Sequence, residues 1–143
     1  MHFPGTRLLP AILLALSATL AQAGELVVVV SARSRIEALR PEQVAAIFLG
    51  QSARFPNGAV AGALDQPIGS PERDQFYRRV TGKTPALLKA HWSKMIFTGR
   101  AQPPRELAGS AAVRKAVADD PALIGYIERE ALDPSVRAVL LVQ

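Results

Sequence analysis

The sequence has 143 residues and no cysteine, and its 17 Lys and Arg against 12 Asp and Glu produce a net charge of +5. Without cysteine the chain has no disulfide, no thiolate nucleophile and no cysteine-based zinc site. The positive charge favours an anionic partner. The basic residues are scattered rather than gathered in one run, which is typical of an ordinary solvated surface.

The N-terminal segment has the pattern of a signal peptide. Arg7 precedes an almost wholly apolar run over residues 8–20, and Ala21-Gln22-Ala23 follows as a small-residue cleavage site. The apolar run is shorter than the roughly 20 residues that span a bilayer as a helix. We therefore expect residues 1–23 to be removed, leaving 24–143 as a single periplasmic domain that does not span the membrane. Export also argues against a nucleic-acid partner.

The first elements of the mature chain follow from local patterns. Residues 26–30 are continuously β-branched or leucine, which predicts a strand covered on both faces. A proline start and the apolar spacing of Val44, Ile47 and Phe48 predict a helix over 41–49, closed by a glycine. A turn at 55–58 then leads into a predicted strand over 59–64.

Two further helices are predicted from their N-cap residues. Ser70 followed by proline begins the first, which ends at Gly82, and its buried stripe is Phe76, Tyr77 and Val80. Thr84 followed by proline begins the second, which runs to about residue 97. Its spacing predicts one wide apolar face made of Leu88, Trp92, Met95 and Ile96.

The C-terminal third completes an alternating pattern. A loop over 101–109 precedes a short helix capped by Ser110, and strands are predicted over 123–127 and 136–142. Strands that alternate with helices predict an α/β domain with a mixed or parallel sheet flanked by helices.

The segment from Asp65 to Arg73 is the candidate binding site. In such sheets ligands bind beyond the carboxyl ends of strands, near helix starts. Gly69 permits close approach of a ligand, Ser70 offers a hydroxyl, and Arg73 can fork onto a phosphate or carboxylate. Gln66 and Arg100 are additional candidates. The same Ser-Pro-Glu start also forms a well-made helix cap with no ligand at all, so both interpretations remain open.

Other polar residues form a weaker set. Ser31, Arg33, Ser34 and Arg35 follow the first strand, at an end where ligands often lie. The single histidine of the mature chain, His91, has no acid or second histidine at ligand spacing, so no metal site is expected. The sequence also shows no evident triad or carboxylate pair, so we expect a binding protein rather than an enzyme, with no cofactor.

The chain contains PEQVAAIFLG over residues 41–50, GSPER over 69–73 and PALIGY over 121–126. Together these three segments resemble motifs of one known family, the phosphate-type periplasmic substrate-binding proteins. Residues 41–50 (PEQVAAIFLG) look like the helix that opens the second lobe of these proteins. Residues 69–73 (GSPER) look like their Gly-Ser-Gly-Thr-Arg anion loop, and residues 121–126 (PALIGY) match their Pro-Gly-Ala-Ile-Gly-Tyr strand. The motifs follow in the family's order. The nearest likeness is to short, single-lobe relatives described as phosphate ABC transporter substrate-binding proteins.

The resemblance implies one lobe of a type 2 periplasmic-binding-protein fold, with a mixed sheet of about four strands. Carried over by position, Gly69, Ser70 and Arg73 match the anion loop, whereas Pro71 replaces a glycine and Glu72 a threonine. It further implies a solute-binding module for phosphate or a similar anion, serving an ABC-type transporter. A dimer or a partner protein would supply the second wall. The alternative is a periplasmic protein–protein interaction domain that kept the lobe and lost the ligand.

Overall fold

The computed structural model describes residues 2, 4, 5 and 23–143. The strands are β1 (Leu26–Ser31), β2 (Gly62–Asp65), β3 (Arg105–Glu106), β4 (Leu123–Glu128) and β5 (Val136–Val142). The helices are α1 (Pro41–Phe48), α2 (Pro71–Thr81), α3 (Pro85–Phe97) and α4 (Ser110–Asp119), with a short 3-10 turn at Arg129–Ala131. The predicted signal peptide lies outside the described residues, apart from positions 2, 4, 5 and 23. Within the described ranges, no helix combines the length and the apolarity needed to cross a membrane.

The predicted helix starts and ends are confirmed by the caps of α2 and α3. The hydroxyl oxygen of Ser70 accepts a hydrogen bond from the backbone N–H of Arg73, and that of Thr84 accepts one from Leu87. Gly82 ends α2 in the left-handed conformation, with φ +72°. These signals are local, because a cap satisfies donors and acceptors of the turn next to it.

Three predicted boundaries were wrong. The second strand begins at Gly62 rather than at residue 59, because the preceding residues fold back in a turn that pairs Val60 with Arg54. The loop over 101–109 contains the two-residue strand β3, which pairs with β2. Gly109, not Ser110, caps α4, and Ser110 is the first residue of that helix.

The strands form one mixed sheet in the order β3-β2-β4-β1-β5. β1 lies near the middle and is antiparallel to both β4 and β5, whereas β2 is parallel to β3 and β4. The predicted α/β class with a mixed, helix-flanked sheet is confirmed, with five strands in place of about four. β1 is buried along its whole length, as its unbroken apolar sequence predicts.

The apolar core divides between the two faces of the sheet. Alternate residues of β1 point to opposite faces, so Val28 and Val30 pack with α1, α2 and α3, while Val27 and Val29 pack under α4. The larger cluster holds an aromatic stack in which the rings of Phe76 and Tyr126 are parallel, with centroids 4.0 Å apart. This stack joins α2 to the middle of the sheet.

The predicted apolar face of α3 is only partly buried. Leu88 and Trp92 reach the core and Met95 is half-buried, but the side chain of Ile96 is 48% exposed. The apolar residues of α3 therefore extend around more of the helix than the side that faces the domain.

Candidate functional site

Two helices begin at the same edge of the sheet and enclose a cavity of about 620 Å³ between them. We call this cavity the α2–α4 cleft; it is lined by Gln66, Pro67, Ser70, Glu72, Ala108, Gly109, Ser110, Ala111, Ala112, Glu128 and Ala131. The parallel strands β2 and β4 both end at this edge, at Asp65 and Glu128. The carboxyl ends of parallel strands are where ligands bind in α/β sheets.

The start of α4 offers hydrogen-bond donors to the cleft. Its N-cap is Gly109, which has no side chain to cap the first backbone N–H groups. Ser110 Oγ accepts hydrogen bonds from Gln66 Nε2, at 3.2 Å, and from the backbone N–H of Glu128, at 3.0 Å. Since Ser110 Oγ is an acceptor in both bonds, its own hydrogen remains available to a ligand. A helix start with free donors also carries the positive end of the helix dipole.

The start of α2 is less open. Ser70 Oγ is engaged by the N–H of Arg73, at 3.3 Å, and Pro71 has no N–H to offer. The hydroxyl hydrogen of Ser70 and the N–H of Glu72 remain as donors on this side. The cleft thus has a serine hydroxyl at each helix start.

Two carboxyl groups also line the cleft. Hydrogen bonding to Glu72, partial burial and the neighbouring charges of Glu72 and Glu130 raise the pKa of Glu128. The pair therefore reduces the positive potential of the two helix starts when both groups are ionised.

Arg73 is held by a buried carboxylate. Its Nη1 lies 3.2 Å from Asp65 Oδ2 and donates to the backbone oxygen of Gln66 at 3.3 Å, and Glu106 Oε1 lies 4.0 Å away. The side chain of Arg73 is only 11% exposed, and its guanidinium carbon lies 5.4 Å from the ring centroid of Tyr77. The arginine predicted to bind an anion is already paired with one.

Asp65 is the centre of this buried network. Besides Arg73, it accepts hydrogen bonds from the hydroxyls of Tyr77, at 2.7 Å, and Tyr126, and from the N–H of Gln66. Burial raises the pKa of Asp65, while the two phenols and the arginine oppose that rise. Burial and the adjacent carboxylate raise the pKa of both tyrosines, so these remain neutral donors. We call Asp65, Arg73, Tyr77 and Tyr126 the Asp65 network.

The predicted site residues do not converge on one cavity. Gln66 and Ser70 line the α2–α4 cleft, where the amide of Gln66 is held by Ser110 and by the carbonyl of Tyr126. Gly69 and Arg73 line a different groove, of about 700 Å³. Arg100 follows α3, is exposed and lines neither.

That second groove, here the α3 groove, separates α3 from the start of α2 and from the loop before β3. It is lined by Ile68, Gly69, Arg73, Asp74, Pro85, Ala86, Leu88, Lys89, Trp92, Ser93, Ile96, Pro103, Pro104 and Glu106. Its wall is mainly apolar.

The weaker candidates have structural contacts. Ser31 Oγ donates to the carbonyl of Ala118, and Arg33 donates to that of Asp119 at 2.9 Å, so both tie the end of β1 to the end of α4. His91 Nε2 lies 2.8 Å from the carbonyl of Leu49 and so ties α3 to the end of α1.

Sequence reasoning missed the contributions of Asp65, Ser110 and Glu128. The sequence predicts Ser110 only as a cap, although a serine at the start of a predicted helix is part of the signal that singled out Ser70. Asp65 follows an apolar strand and is wholly buried, but its tyrosine and arginine partners become neighbours only in the folded chain.

Comparisons with known proteins show which solved structures share the fold of this chain. No family model and no curated protein matches the sequence. Among solved structures, the chain is similar to a Clostridium perfringens protein, crystallised with phosphate and described as a phosphate ABC transporter substrate-binding protein. The identity is 21%, the TM-score 0.65, and the match covers 80% of this chain and 44% of that one.

Two other solved structures agree. An ABC-type phosphate transport receptor from Vibrio cholerae matches with 17% identity and a TM-score of 0.63, covering 80% of this chain and 45% of that one. PstS from Borrelia burgdorferi matches with 15% identity and a TM-score of 0.59, covering 80% and 46%.

These likenesses define the class of fold. The chain has the fold of a single lobe of the phosphate-type substrate-binding proteins, as its motifs implied, and it spans less than half the length of the structures it matches. The first two neighbours are named for binding or transport of phosphate rather than for catalysis.

Proposed function

We propose that this chain is a solute-binding module that takes phosphate or a related small anion in the α2–α4 cleft. The observation that carries the proposal is the convergence of two helix starts, each with a serine hydroxyl, on one cavity where parallel strands end. Helix starts are anion sites because their free N–H groups and dipoles point at the ligand. The Clostridium perfringens neighbour, which contains bound phosphate, supports the same ligand class.

The carboxyl groups of Glu72 and Glu128 select among anions. An ionised carboxylate repels an anion but accepts a hydrogen bond from one that still carries a proton. Near neutral pH phosphate carries such a proton and sulfate does not. The cleft should therefore prefer phosphate to sulfate.

In this proposal the module binds its ligand reversibly in the periplasm, without converting it, and serves an ABC-type transporter. It rests on the predicted signal peptide and on the class of the structural neighbours. A lobe that stands alone leaves its ligand open to water, where an exposed charge pair contributes only about 0–1 kcal/mol. A second copy or a membrane transporter would then supply the second wall of the site.

The Asp65 network favours a second candidate, a periplasmic interaction domain without a ligand. Arg73 is neutralised by Asp65, and Glu106 lies beside it, so the predicted anion-binding arginine is occupied. In this second candidate function, the lobe binds another protein and no small ligand.

Calorimetric titration with phosphate and with sulfate separates the two candidates. Ala111→Asp places a carboxylate at the start of α4 inside the cleft, and at an effective dielectric of about 20 it should weaken phosphate binding about tenfold or more. Ala90→Asp, on the exposed side of α3, is the matched control and should leave binding unchanged.

Removal of a carboxylate should have the opposite effect. Glu72→Gln is expected to strengthen phosphate binding several-fold, because it lowers the negative charge of the cleft. Asp74→Asn is its control, since Asp74 also lies in the first turn of α2 but lines the α3 groove. If neither the natural protein nor Glu72→Gln produces heat with millimolar phosphate while both remain folded, the interaction-domain candidate is favoured.

A further inference from the structure

The α3 face is a basic and apolar surface that the anion site does not use. α3 itself contains two lysines and no Asp or Glu, and the acidic residues Asp74 and Glu106 line the α3 groove on the inner side of the helix. The exposed basic residues on and just after α3 include Lys89, Lys94 and Arg100. Such a one-sided charge attracts an anionic partner and repels a cationic one.

Apolar side chains project from the same element. Phe97, at the end of α3, is 92% exposed, and Ile96 and Leu87 are about half exposed. A single exposed apolar residue is ordinary, but here Ile96 continues into the apolar wall of the α3 groove. A helix with apolar residues on both its inner and outer sides is typical of one that is covered on both.

We propose that the α3 face, the outward side of the helix defined by Leu87, Lys94 and Phe97 together with Arg100 just beyond the helix end, docks on an anionic phospholipid surface. Charge complementarity identifies the partner, because lysine and arginine beside exposed phenylalanine and leucine are the chemistry of interfacial helices on anionic lipid. The geometry favours a fluid surface, since Phe97 projects from the helix end and the long basic side chains can reach headgroups around it. The proposal does not depend on the anion site.

The absence of natural cysteine allows one fluorophore to be placed at will. Ala90→Cys, labelled with an environment-sensitive dye, reports contact of the exposed side of α3 with lipid. Lys115→Cys, on the exposed side of α4 at the opposite face of the sheet, is the control label. Both proteins carry the same N-terminal segment, so any binding by that segment affects the two labels alike.

The labelled proteins are titrated with vesicles of phosphatidylglycerol and of phosphatidylcholine. We expect the dye at position 90, but not at 115, to become brighter and blue-shifted with phosphatidylglycerol only. Binding should weaken at high salt, because screening shortens the range of the attraction.

Variants of the face test which groups carry the binding. Lys94→Gln should weaken the partition coefficient about fivefold, the equivalent of ~1 kcal/mol per basic residue near an anionic surface. Phe97→Ser should weaken it about tenfold or more, as expected for loss of a buried aromatic ring. Leu141→Ser, at an exposed leucine of β5, is the apolar control and should have no effect. Circular dichroism checks that each variant remains folded.

Three results would overturn the proposal. The first is an equal response of the dye at 90 to both lipids or to neither. The second is retention of binding in Phe97→Ser and Lys94→Gln. The third is sedimentation showing that the natural protein is a dimer and Phe97→Ser a monomer, in which case the face is covered by a second copy. If the protein is a monomer and the dye at position 90 does not respond to either lipid, the lipid proposal is overturned and an acidic protein surface becomes the candidate partner.

Discussion

Replacement of Asp65 by asparagine should destabilise the fold by leaving the guanidinium of Arg73 without its buried counter-charge. The side chains are 1% and 11% exposed, and their atoms lie 3.2 Å apart. Removing one partner of a buried pair costs about 3–5 kcal/mol. Arg73 keeps the carbonyl of Gln66, and Glu106 lies 4.0 Å away, so we expect the low end, about 3 kcal/mol.

Urea denaturation followed by circular dichroism measures this loss, and a thermal scan should show Tm lower by roughly 10 °C. Asp133→Asn is the matched control, because Asp133 also pairs with an arginine, at 3.3 Å, but its side chain is 39% exposed. An exposed pair contributes at most about 1 kcal/mol. Comparing the stability losses of the two variants therefore distinguishes the effect of burial from that of the ion pair itself.

A double-mutant cycle tests the cause. Arg73→Met alone leaves Asp65 buried without its cation, whereas the double variant Asp65→Asn with Arg73→Met removes both charges. The double variant should be more stable than the sum of the single losses predicts, by about 1–3 kcal/mol. Additive losses, or an Asp65→Asn loss no larger than that of the control, would refute this account of the Asp65 network.

Three further predictions follow from the core and the cleft. Gly125→Ala should lower the free energy of unfolding by about 1–3 kcal/mol in urea denaturation, because the added Cβ would clash with Cγ1 of Val113; a neutral result would contradict the close packing of α4 on the sheet. Phe76→Ala should cost about 3–5 kcal/mol in the same assay, since it empties the centre of the aromatic stack; a loss below 1 kcal/mol would show that the stack closes around the gap. Because its pKa is raised, Glu128 takes up a proton at a higher pH than an ordinary glutamate does. Protonation removes a negative charge from the cleft, so phosphate binding should strengthen as the pH falls. Calorimetry at several pH values, with Glu72→Gln as reference to cancel the titration of phosphate itself, should show a flatter profile for the variant; parallel profiles would exclude the carboxyl pair as the cause.

The secondary structure was largely predictable because its signals are local. Ser70 and Thr84, each followed by proline, announce the starts of α2 and α3, and the caps they form involve atoms within one helical turn. β5 has the predicted bounds, Val136–Val142, and β1 differs only by the inclusion of Ser31. The prediction was weakest where a tertiary neighbour determines the secondary structure. β3 is a strand only because it pairs with β2.

The candidate site was less predictable than the fold. The pattern from Gly69 to Arg73 indicated an anion loop, but the structure turns Arg73 towards Asp65 and away from the α2–α4 cleft. The direction of a long side chain depends on which charge lies within its reach. That charge was visible in the sequence, eight positions earlier, but its burial and its two phenolic partners were not.

By itself, the sequence determined the order of the described helices and of every described strand except β3, the caps of α2 and α3 and the continuous burial of β1, because these depend on neighbouring residues and on apolar periodicity. Only the tertiary structure decided the strand order, the pairing of Arg73 with Asp65, the meeting of Ser70 and Ser110 across one cleft, and the exposure of Phe97. The physical reason is distance along the chain. Ser110 lies 44 positions from Gln66, and Tyr126 lies 61 from Asp65, and such contacts arise only when the sheet assembles.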